Sequence, residues 1–125
     1  MEEQDNIATL REFIAAWSRL DPEELVGYFA EDGIYHNMPI DPVQGHHALR
    51  QFIAAFLHGW SKTQWDVLSI AASGNTVFVE RLDRTIVNGK PVSLPCCGVF
   101  EMKDGKIAVW RDYFDMATYR QAVGD

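Results

Sequence analysis

Three charged residues in two segments of this chain could perform acid–base chemistry. Arg81 and Asp83 lie in the segment TVFVERLDRTIV, and Asp112 lies in IAVWRDYFD. Both segments resemble β-strands, and because alternate residues of a strand face opposite sides, Arg81 and Asp83 share one face. Charged groups that point into an apolar interior are costly unless they are paired. We therefore expect Arg81 to bridge the two carboxylates.

Two carboxyl groups that share a cation can be held in different protonation states, so that one donates a proton while the other accepts one. The same residues could instead form a buried structural ion pair. Alternatively, Arg84 and Arg111 could pair with them at a solvated edge. The residue types leave both interpretations open.

Turn signals predict which residues lie side by side in the sheet. Asn88 and Gly89 are typical of a two-residue type I′ hairpin, because both positions of that turn need a positive φ. This turn would place Arg81 opposite Cys96 on the next strand. It would also place Asp83 opposite Leu94.

The following connection decides where Asp112 lies. If residues 103–105 form a three-residue loop, Cys96 lies opposite Asp112, and Arg81, Cys96 and Asp112 form one row across three strands. If Asp104 and Gly105 form a two-residue turn instead, the parity reverses and Asp112 leaves the site unless a bulge intervenes.

A second polar pair lies in the segment GIYHNMP. Tyr35 and Asn37 are two residues apart on a predicted strand and share a face, whereas His36 takes the other. A phenol beside an amide can hold a water molecule through donors and acceptors. The alternative is a core tyrosine followed by an asparagine that begins a loop.

Metal and nucleophile chemistry find little support in the sequence. His46, His47 and His58 have no carboxylate or cysteine at metal-ligand spacing, so we expect no metal site. Cys96 and Cys97 are adjacent on a predicted strand and should face opposite sides as reduced packing residues. No Gly-rich phosphate loop, GxSxG or HExxH motif is present, which argues against a phosphate- or nucleotide-using enzyme.

Size and charge restrict the partners. The 125 residues predict a single domain that spans 1–125, and 47% of them are hydrophobic. The formal net charge of −7 disfavours nucleic acid and anionic membranes as partners. The acidic N-terminal segment is unlike a secretory signal, and no apolar run approaches the roughly 18 residues of a membrane span. We expect a cytoplasmic protein.

The order of predicted elements favours an α+β fold. Apolar spacing predicts a first helix over 7–20 with Asp5 or Asn6 as its N-cap, and Asp21, Pro22 and Glu24 predict a short second helix with a capping box. The remaining predictions are a loop closed by Gly33, a strand over 34–38, a helix over 46–60, strands over 64–72, 76–87, 92–103 and 106–114, and a short helical turn over 116–125. The four late strands should form a curved antiparallel sheet, with the N-terminal helices packed on its concave face and a cone-shaped pocket between the layers.

These residues resemble a known family. Tyr35-x-Asn37 with a following proline, Arg81-x-Asp83 on a middle strand, and the segment WRDYF around Asp112 are similar to the limonene epoxide hydrolase family, within the cone fold shared by nuclear transport factor 2 and ketosteroid isomerase. The resemblance covers most of the chain, and its five polar positions are present in the family's order.

The resemblance implies a one-step hydrolysis of an epoxide to a vicinal diol, without a covalent intermediate, metal or other cofactor. Asp112 would be the general base on a water that Tyr35 and Asn37 also hold. Asp83 would be the general acid on the epoxide oxygen, and Arg81 would orient both carboxylates. The family also tends to pair through sheet surfaces, so the outward apolar residues indicate a homodimer. These residues are Phe78, Leu82, Ile86 and Val99.

The predicted register adds walls to the pocket. Strand positions on the same face as the triad, together with two residues outside the strands, should contact a compact apolar epoxide such as a cyclic alkene oxide or terpene oxide. The predicted wall residues are Leu94, Cys96, Trp110, Phe114, Trp60 and Tyr119.

Two other functions fit the same fold. A proton-transfer enzyme of the ketosteroid isomerase type needs one carboxylate base and a donor-lined oxyanion site, and has no use for an arginine between two aspartates. A non-catalytic domain that binds apolar ligands has no use for paired buried charges.

Overall fold

The computed structural model describes residues 2–124 and contains four α-helices and six strands in that range. A short 3₁₀ turn, Trp17–Arg19, follows the first helix. The helices are α1 (Glu3–Ala16), α2 (Pro22–Val26), α3 (His46–Leu57) and α4 (Met116–Val123). The strands are β1 (Phe29–Asn37), β2 (Val43–Gln44), β3 (Trp60–Ser73), β4 (Thr76–Val87), β5 (Lys90–Lys103) and β6 (Lys106–Tyr113).

The strands form one sheet in the order β2-β1-β6-β5-β4-β3. The α+β class is confirmed, and β3 to β6 form the expected antiparallel meander. The sheet is nevertheless mixed, because β1 pairs in parallel with β6. The strand predicted over 34–38 was given no partner in the sheet, so this parallel pairing was not predicted. Turn signals identify only those strands that a hairpin joins, and β1 has no hairpin to β6.

The helices differ from their predicted bounds mainly at their ends. Helix α1 begins at Glu3 with Glu2 as its N-cap, so neither Asp5 nor Asn6 caps it. Asn6 faces the interior and is 0% exposed. The helix begins about one turn before its first apolar residue. Helix α3 ends at Leu57, because Gly59 has a φ of 89° and turns the chain into β3.

The cap of α2 forms only in part as predicted. The Asp21 side chain accepts a hydrogen bond of 3.1 Å from the backbone N–H of Glu23. Glu24 does not reach back to complete a capping box, because its carboxylate binds Arg19 at 2.7 Å. Gly33 lies within β1 rather than closing a loop before it.

The hairpin between β4 and β5 has the predicted register. Asn88 and Gly89 have φ values of 50° and 81°, as a type I′ turn requires. Arg81 accordingly pairs with Cys96. Asp83 pairs with Leu94, also as predicted.

The hairpin between β5 and β6 does not have its predicted register. Asp104 and Gly105 form a two-residue turn with φ values of 51° and 77°, so the three-residue loop was wrong. A bulge at Ala108, between the pairs Met102 with Ile107 and Glu101 with Val109, restores the parity that this turn reverses. Asp112 therefore still faces inward.

The partner of Asp112 across the β5–β6 hairpin is Gly98, not the predicted Cys96. The register is shifted by two residues, which leaves the face of each side chain unchanged. Because Gly98 has no side chain, the space above it is open to groups that reach Asp112 from neighbouring strands.

An aromatic cluster fills the interior between the helices and the sheet. Its centre is Trp110, which is 0% exposed. The Trp110 ring stacks on Tyr35 with centroids 4.1 Å apart and on Phe100 at 5.0 Å, and it meets Phe13 of α1 edge-on at 5.3 Å. Within residues 2–124, no helix is both long and apolar enough to span a membrane.

Candidate active site

Arg81 lies at the bottom of the cone and binds both aspartates. Its Nε and Nη2 donate to Oδ1 and Oδ2 of Asp83, each at 2.9 Å. Its Nη1 and Nη2 donate to Oδ1 and Oδ2 of Asp112, each at 2.8 Å. Arg81 is 0% exposed, Asp112 3% and Asp83 7%, so the three charges are almost wholly removed from water. The planar guanidinium thus fixes both carboxyl groups at once.

Charge balance favours one proton on this triad. If both aspartates are ionised, the three residues carry a net negative charge in a buried site, whereas one bound proton makes them neutral. Uncompensated charge is strongly disfavoured in a low-dielectric interior. Burial raises the pKa of the Asp83 carboxyl above its ordinary value, even though the Arg81 guanidinium opposes the rise, and the nearby charge of Asp112 adds to it.

The hydrogen bonds indicate which carboxyl keeps the proton. Asp112 receives two N–H groups from Arg81 and a third from Trp110 Nε1, which lies 3.3 Å from Oδ1. Asp83 receives two N–H groups, and its further donor within reach is the weak thiol of Cys96, whose Sγ lies 3.5 Å from Oδ2 and equally far from the Leu94 carbonyl oxygen. The weaker set of donors and the raised pKa both favour a proton on Asp83.

Two indole rings enclose the guanidinium. The Arg81 Cζ atom lies 4.5 Å from the centroid of the Trp65 ring and 5.7 Å from that of Trp110. Burial alone would lower the pKa of Arg81, but the charges of Asp112 and Asp83 outweigh it and raise that pKa well above its ordinary value. Arg81 is a permanent cation, and the rings stabilise it through cation–π contact.

Tyr35 and Asn37 reach the triad through the parallel pairing of β1 with β6. Asn37 pairs with Asp112 and Tyr35 with Trp110, on whose ring Tyr35 stacks at an interplanar angle of 1°. The Asn37 amide nitrogen Nδ2 is buried and donates to no described protein acceptor. Burial raises the pKa of Tyr35 well above its ordinary value, and Asp112 adds to this, so the phenol remains protonated and able to donate.

A cavity of about 60 Å³ opens beside these groups, well above the roughly 10–15 Å³ that one water requires. Its polar walls include Asp83, Asp112, Tyr35, Asn37 and Thr85. Its remaining walls are almost all apolar or aromatic. These are Ile40, Phe56, Trp60, Trp65, Val92, Leu94, Cys96, Phe114, Met116 and Tyr119.

The predicted wall residues are found in this pocket with one exception. Leu94, Cys96, Phe114, Trp60 and Tyr119 all line it. Trp110 does not, because it lies behind Tyr35 and supports the site from the core.

Several pocket residues were not predicted from the sequence. Thr85 and Val92 have the same strand parity as Asp83 and Leu94, so parity could have identified them. Trp65 pairs with Asp83 across β3 and β4. A bulge in β3 shifts the register between the turn and Trp65, so the turn alone could not predict this pair. Among residues 2–124, no group of three or more His, Cys, Asp or Glu side chains is placed to hold a metal ion.

A family model and a related protein sequence point to the same family. The sequence matches the family model of the limonene-1,2-epoxide hydrolase catalytic domain over residues 4–123. The epoxide hydrolase EphG of Mycobacterium tuberculosis is 30% identical over 104 residues, which cover 83% of this chain and 69% of that protein.

Solved structures share the fold. A structure of an LEH-like epoxide hydrolase from M. tuberculosis has a TM-score of 0.84 and 26% identity, with 99% of this chain and 93% of that chain covered. A Catenulispora acidiphila protein with a ketosteroid isomerase-like fold has a TM-score of 0.84, with 93% of this chain and 92% of that chain covered. Its identity is 18%, so this second likeness shows the fold alone.

Gly98 should be essential for the geometry of the triad. A Cβ at this position would lie 2.8 Å from Phe100 Cε1 and 3.0 Å from both Arg81 Nη1 and Trp110 Nε1. The latter two atoms are the donors to Asp112 Oδ1. We expect Gly98→Ala to lower the free energy of unfolding by about 1–3 kcal/mol, as overpacking does, measured by urea denaturation.

The control for this substitution is Cys97→Ala. Cys97 is the neighbouring residue on β5 and is exposed on the opposite face of the sheet. Equal stability of the two variants would contradict the proposed need for a glycine.

Proposed function

The chain belongs to the limonene-1,2-epoxide hydrolase family, and we propose that it hydrolyses a small apolar epoxide to a vicinal diol in one step. The observation that carries this proposal is the Arg81 bridge between Asp83 and Asp112, beside Tyr35 and Asn37, in a pocket with apolar walls. The reaction uses no covalent intermediate and draws both its acid and its base from this triad.

Asp112 is the general base. A water molecule beside Asp112 can also bind the buried Nδ2 donor of Asn37 and the phenol of Tyr35, which surround the same cavity. As the water oxygen bonds to an epoxide carbon, one of its protons passes to Asp112. This transfer avoids a positively charged oxygen in an apolar pocket.

Asp83 is the general acid. Its raised pKa favours the protonated form, and its side chain lines the pocket. As the carbon–oxygen bond of the epoxide breaks, the proton of Asp83 passes to the epoxide oxygen. The product is a diol, and no free alkoxide forms.

The bridging arginine explains why the two transfers suit a buried site. Before the reaction Asp112 is negative and Asp83 neutral; afterwards Asp112 is neutral and Asp83 negative. The net charge of the triad is the same at both times, and Arg81 donates two hydrogen bonds to each carboxyl group throughout. A buried charge moves, but none is created, so the desolvation cost changes little. Asp112 then releases its proton to solvent and Asp83 takes one up, which restores the resting state.

The pocket walls indicate the substrate class. Aromatic and aliphatic side chains outnumber the polar ones, and the polar ones include the proposed catalytic groups. An apolar ring bearing an epoxide, such as a cyclic alkene oxide or a terpene oxide, would bury its hydrocarbon part against these walls. The oxygen would then lie toward Asp83.

A ketosteroid isomerase-like proton transfer and non-catalytic binding of an apolar ligand are the competing functions. Neither uses an arginine held between two aspartates. Incubation with a panel of cyclic epoxides in heavy-oxygen water separates the three. A diol with one labelled oxygen supports hydrolysis, whereas tight binding without turnover would support a binding domain.

Asp83→Asn and Asp112→Asn should each reduce diol formation by about 10²–10⁴-fold or more, because each removes one proton transfer. Both proteins should remain folded, since asparagine keeps the shape of the carboxyl group and an acceptor for Arg81. Steady-state kcat/KM for an epoxide that the wild type hydrolyses is the measurement.

The matched control is Asp66→Asn, which removes a half-exposed carboxylate that pairs with Arg84 outside the pocket. It should leave kcat/KM unchanged. Substantial activity in either triad variant would refute the assigned role.

Tyr35→Phe should be milder than Asp112→Asn. Phenylalanine keeps the stack on Trp110, and Asn37 and Asp112 can still hold the water after the hydroxyl is lost. We expect a smaller reduction in kcat/KM than in Asp112→Asn, measured with the same epoxide. A loss as severe as that of Asp112→Asn would place Tyr35 in the proton transfer itself.

We also propose that two copies pair through the outer face of the sheet. Phe78, which is 42% exposed, pairs with half-buried Val99 on this face. Tyr113, on the same face, is 46% exposed, and Leu82 and Ile86 are half-buried. Apolar surface concentrated on one sheet face is typical of a contact between protein chains.

Phe78→Glu should therefore shift the protein from dimer to monomer, because the partner would have to bury an unpaired carboxylate. Light scattering after size exclusion, at several protein concentrations, measures the mass. Ala54→Glu, on the exposed side of α3, is the control and should keep the wild-type mass. A wild-type protein that is monomeric at all concentrations contradicts the dimer.

A further inference from the structure

The thiol of Cys96 has no part in the reaction proposed above, yet it touches the general acid. Cys96 is 5% exposed. Its Sγ lies 3.5 Å from Asp83 Oδ2 and also 3.5 Å from the backbone carbonyl oxygen of Leu94. A thiol has one hydrogen, so it can donate to only one of these acceptors at a time.

The preferred acceptor depends on the charge of Asp83. An ionised carboxylate is a stronger acceptor than a backbone carbonyl, whereas a protonated carboxyl group is a weaker acceptor than that carbonyl, because an amide oxygen is the more basic. Burial raises the pKa of the Cys96 thiol, so the sulfur keeps its hydrogen at neutral pH. The thiol is therefore a donor with two acceptors within reach, and one of them changes its strength when Asp83 loses its proton.

We propose that Cys96 is a positioning residue for Asp83, whose S–H group points to the Leu94 carbonyl while Asp83 is protonated and turns to Oδ2 once Asp83 has given up its proton. This inference rests on the role proposed for Asp83. The turn is a rotation about the Cβ–Sγ bond and moves no heavy atom. It adds one hydrogen bond to the carboxylate at the moment when the reaction creates it.

The groups around Asp83 allow this response to be isolated. The charged or titratable side chains of the site are Arg81 on β4, Cys96 on β5, Asp112 on β6, Tyr35 on β1 and Tyr119 on α4. Elements β3 and α3 contribute only the rings of Trp60, Trp65 and Phe56. Arg81 remains charged and the phenol of Tyr35 remains protonated near neutral pH, so neither accounts for a response there.

The S–H stretching vibration of Cys96 measures its acceptor directly. The chain has two cysteines, and Cys97→Ala removes the other, which is exposed on the opposite face. In Cys97→Ala protein, infrared spectra across a pH titration should show the S–H band move to lower frequency as Asp83 ionises. The same band in Cys97→Ala/Asp83→Asn should lack this shift. A band that is constant in Cys97→Ala protein, or that moves equally in both, overturns the proposal.

Substitution of Cys96 gives a second readout. The direction in which the pKa of Asp83 changes decides between the proposal and a packing role. Cys96→Ala removes the donor, so Asp83 should hold its proton to higher pH. Cys96→Ser offers a stronger donor to the carboxylate, so Asp83 should lose its proton at lower pH. The Asp83 carboxyl carbon, assigned in NMR spectra by comparison with Asp83→Asn, should titrate with midpoints displaced in opposite directions by roughly half to one pH unit. Midpoints that do not move, or that move together, overturn the proposal, because a packing role predicts no such opposition.

The pH dependence of kcat/KM links this inference to the reaction, while the spectroscopic tests do not require turnover. Since Asp83 must be protonated to act, kcat/KM should fall as pH rises through its pKa, later in Cys96→Ala and earlier in Cys96→Ser. If the wild type hydrolyses no epoxide in the panel, the proposed function fails. The S–H band and the carboxyl titration still decide whether Cys96 responds to Asp83.

Discussion

The buried guanidinium of Arg81 is the constraint on which the rest of the structure depends. A cation that is 0% exposed is tolerated only where opposite charge and aromatic faces surround it. Two strands supply the carboxylates, and Trp65 and Trp110 supply the rings. The interior of the cone is thus organised around one side chain, and the pocket is the space left beside it.

The same constraint separates two residues of identical chemistry. Asp83 and Asp112 share one cation, but Asp112 also receives the indole N–H of Trp110, whereas the further donor within reach of Asp83 is the weaker thiol of Cys96. This difference is the basis on which the proposed reaction assigns its resting proton to Asp83. In that proposal an acid and a base arise from one residue type.

Much of this arrangement could be predicted from local rules. Strand parity placed Arg81 and Asp83 on one face, and the Asn88-Gly89 turn gave the register of β4 with β5. Interactions without a local signal could not be predicted. The Ala108 bulge is one example, because no residue type marks it. The parallel pairing of β1 with β6 is another, since residues 38–105 lie between the two strands.

That parallel pairing has a consequence for how the molecule acquires its site. Asn37 meets Asp112 only when the last strand docks between β1 and β5, so the contacts that complete the pocket are also among the most distant along the chain. Contacts of such separation form late and slowly, because a long loop must first be closed. During synthesis on the ribosome, the meander of β3 to β5 would precede its final strand, with one hydrogen-bonding edge unfilled. Completion of that edge and assembly of the pocket are therefore a single folding event.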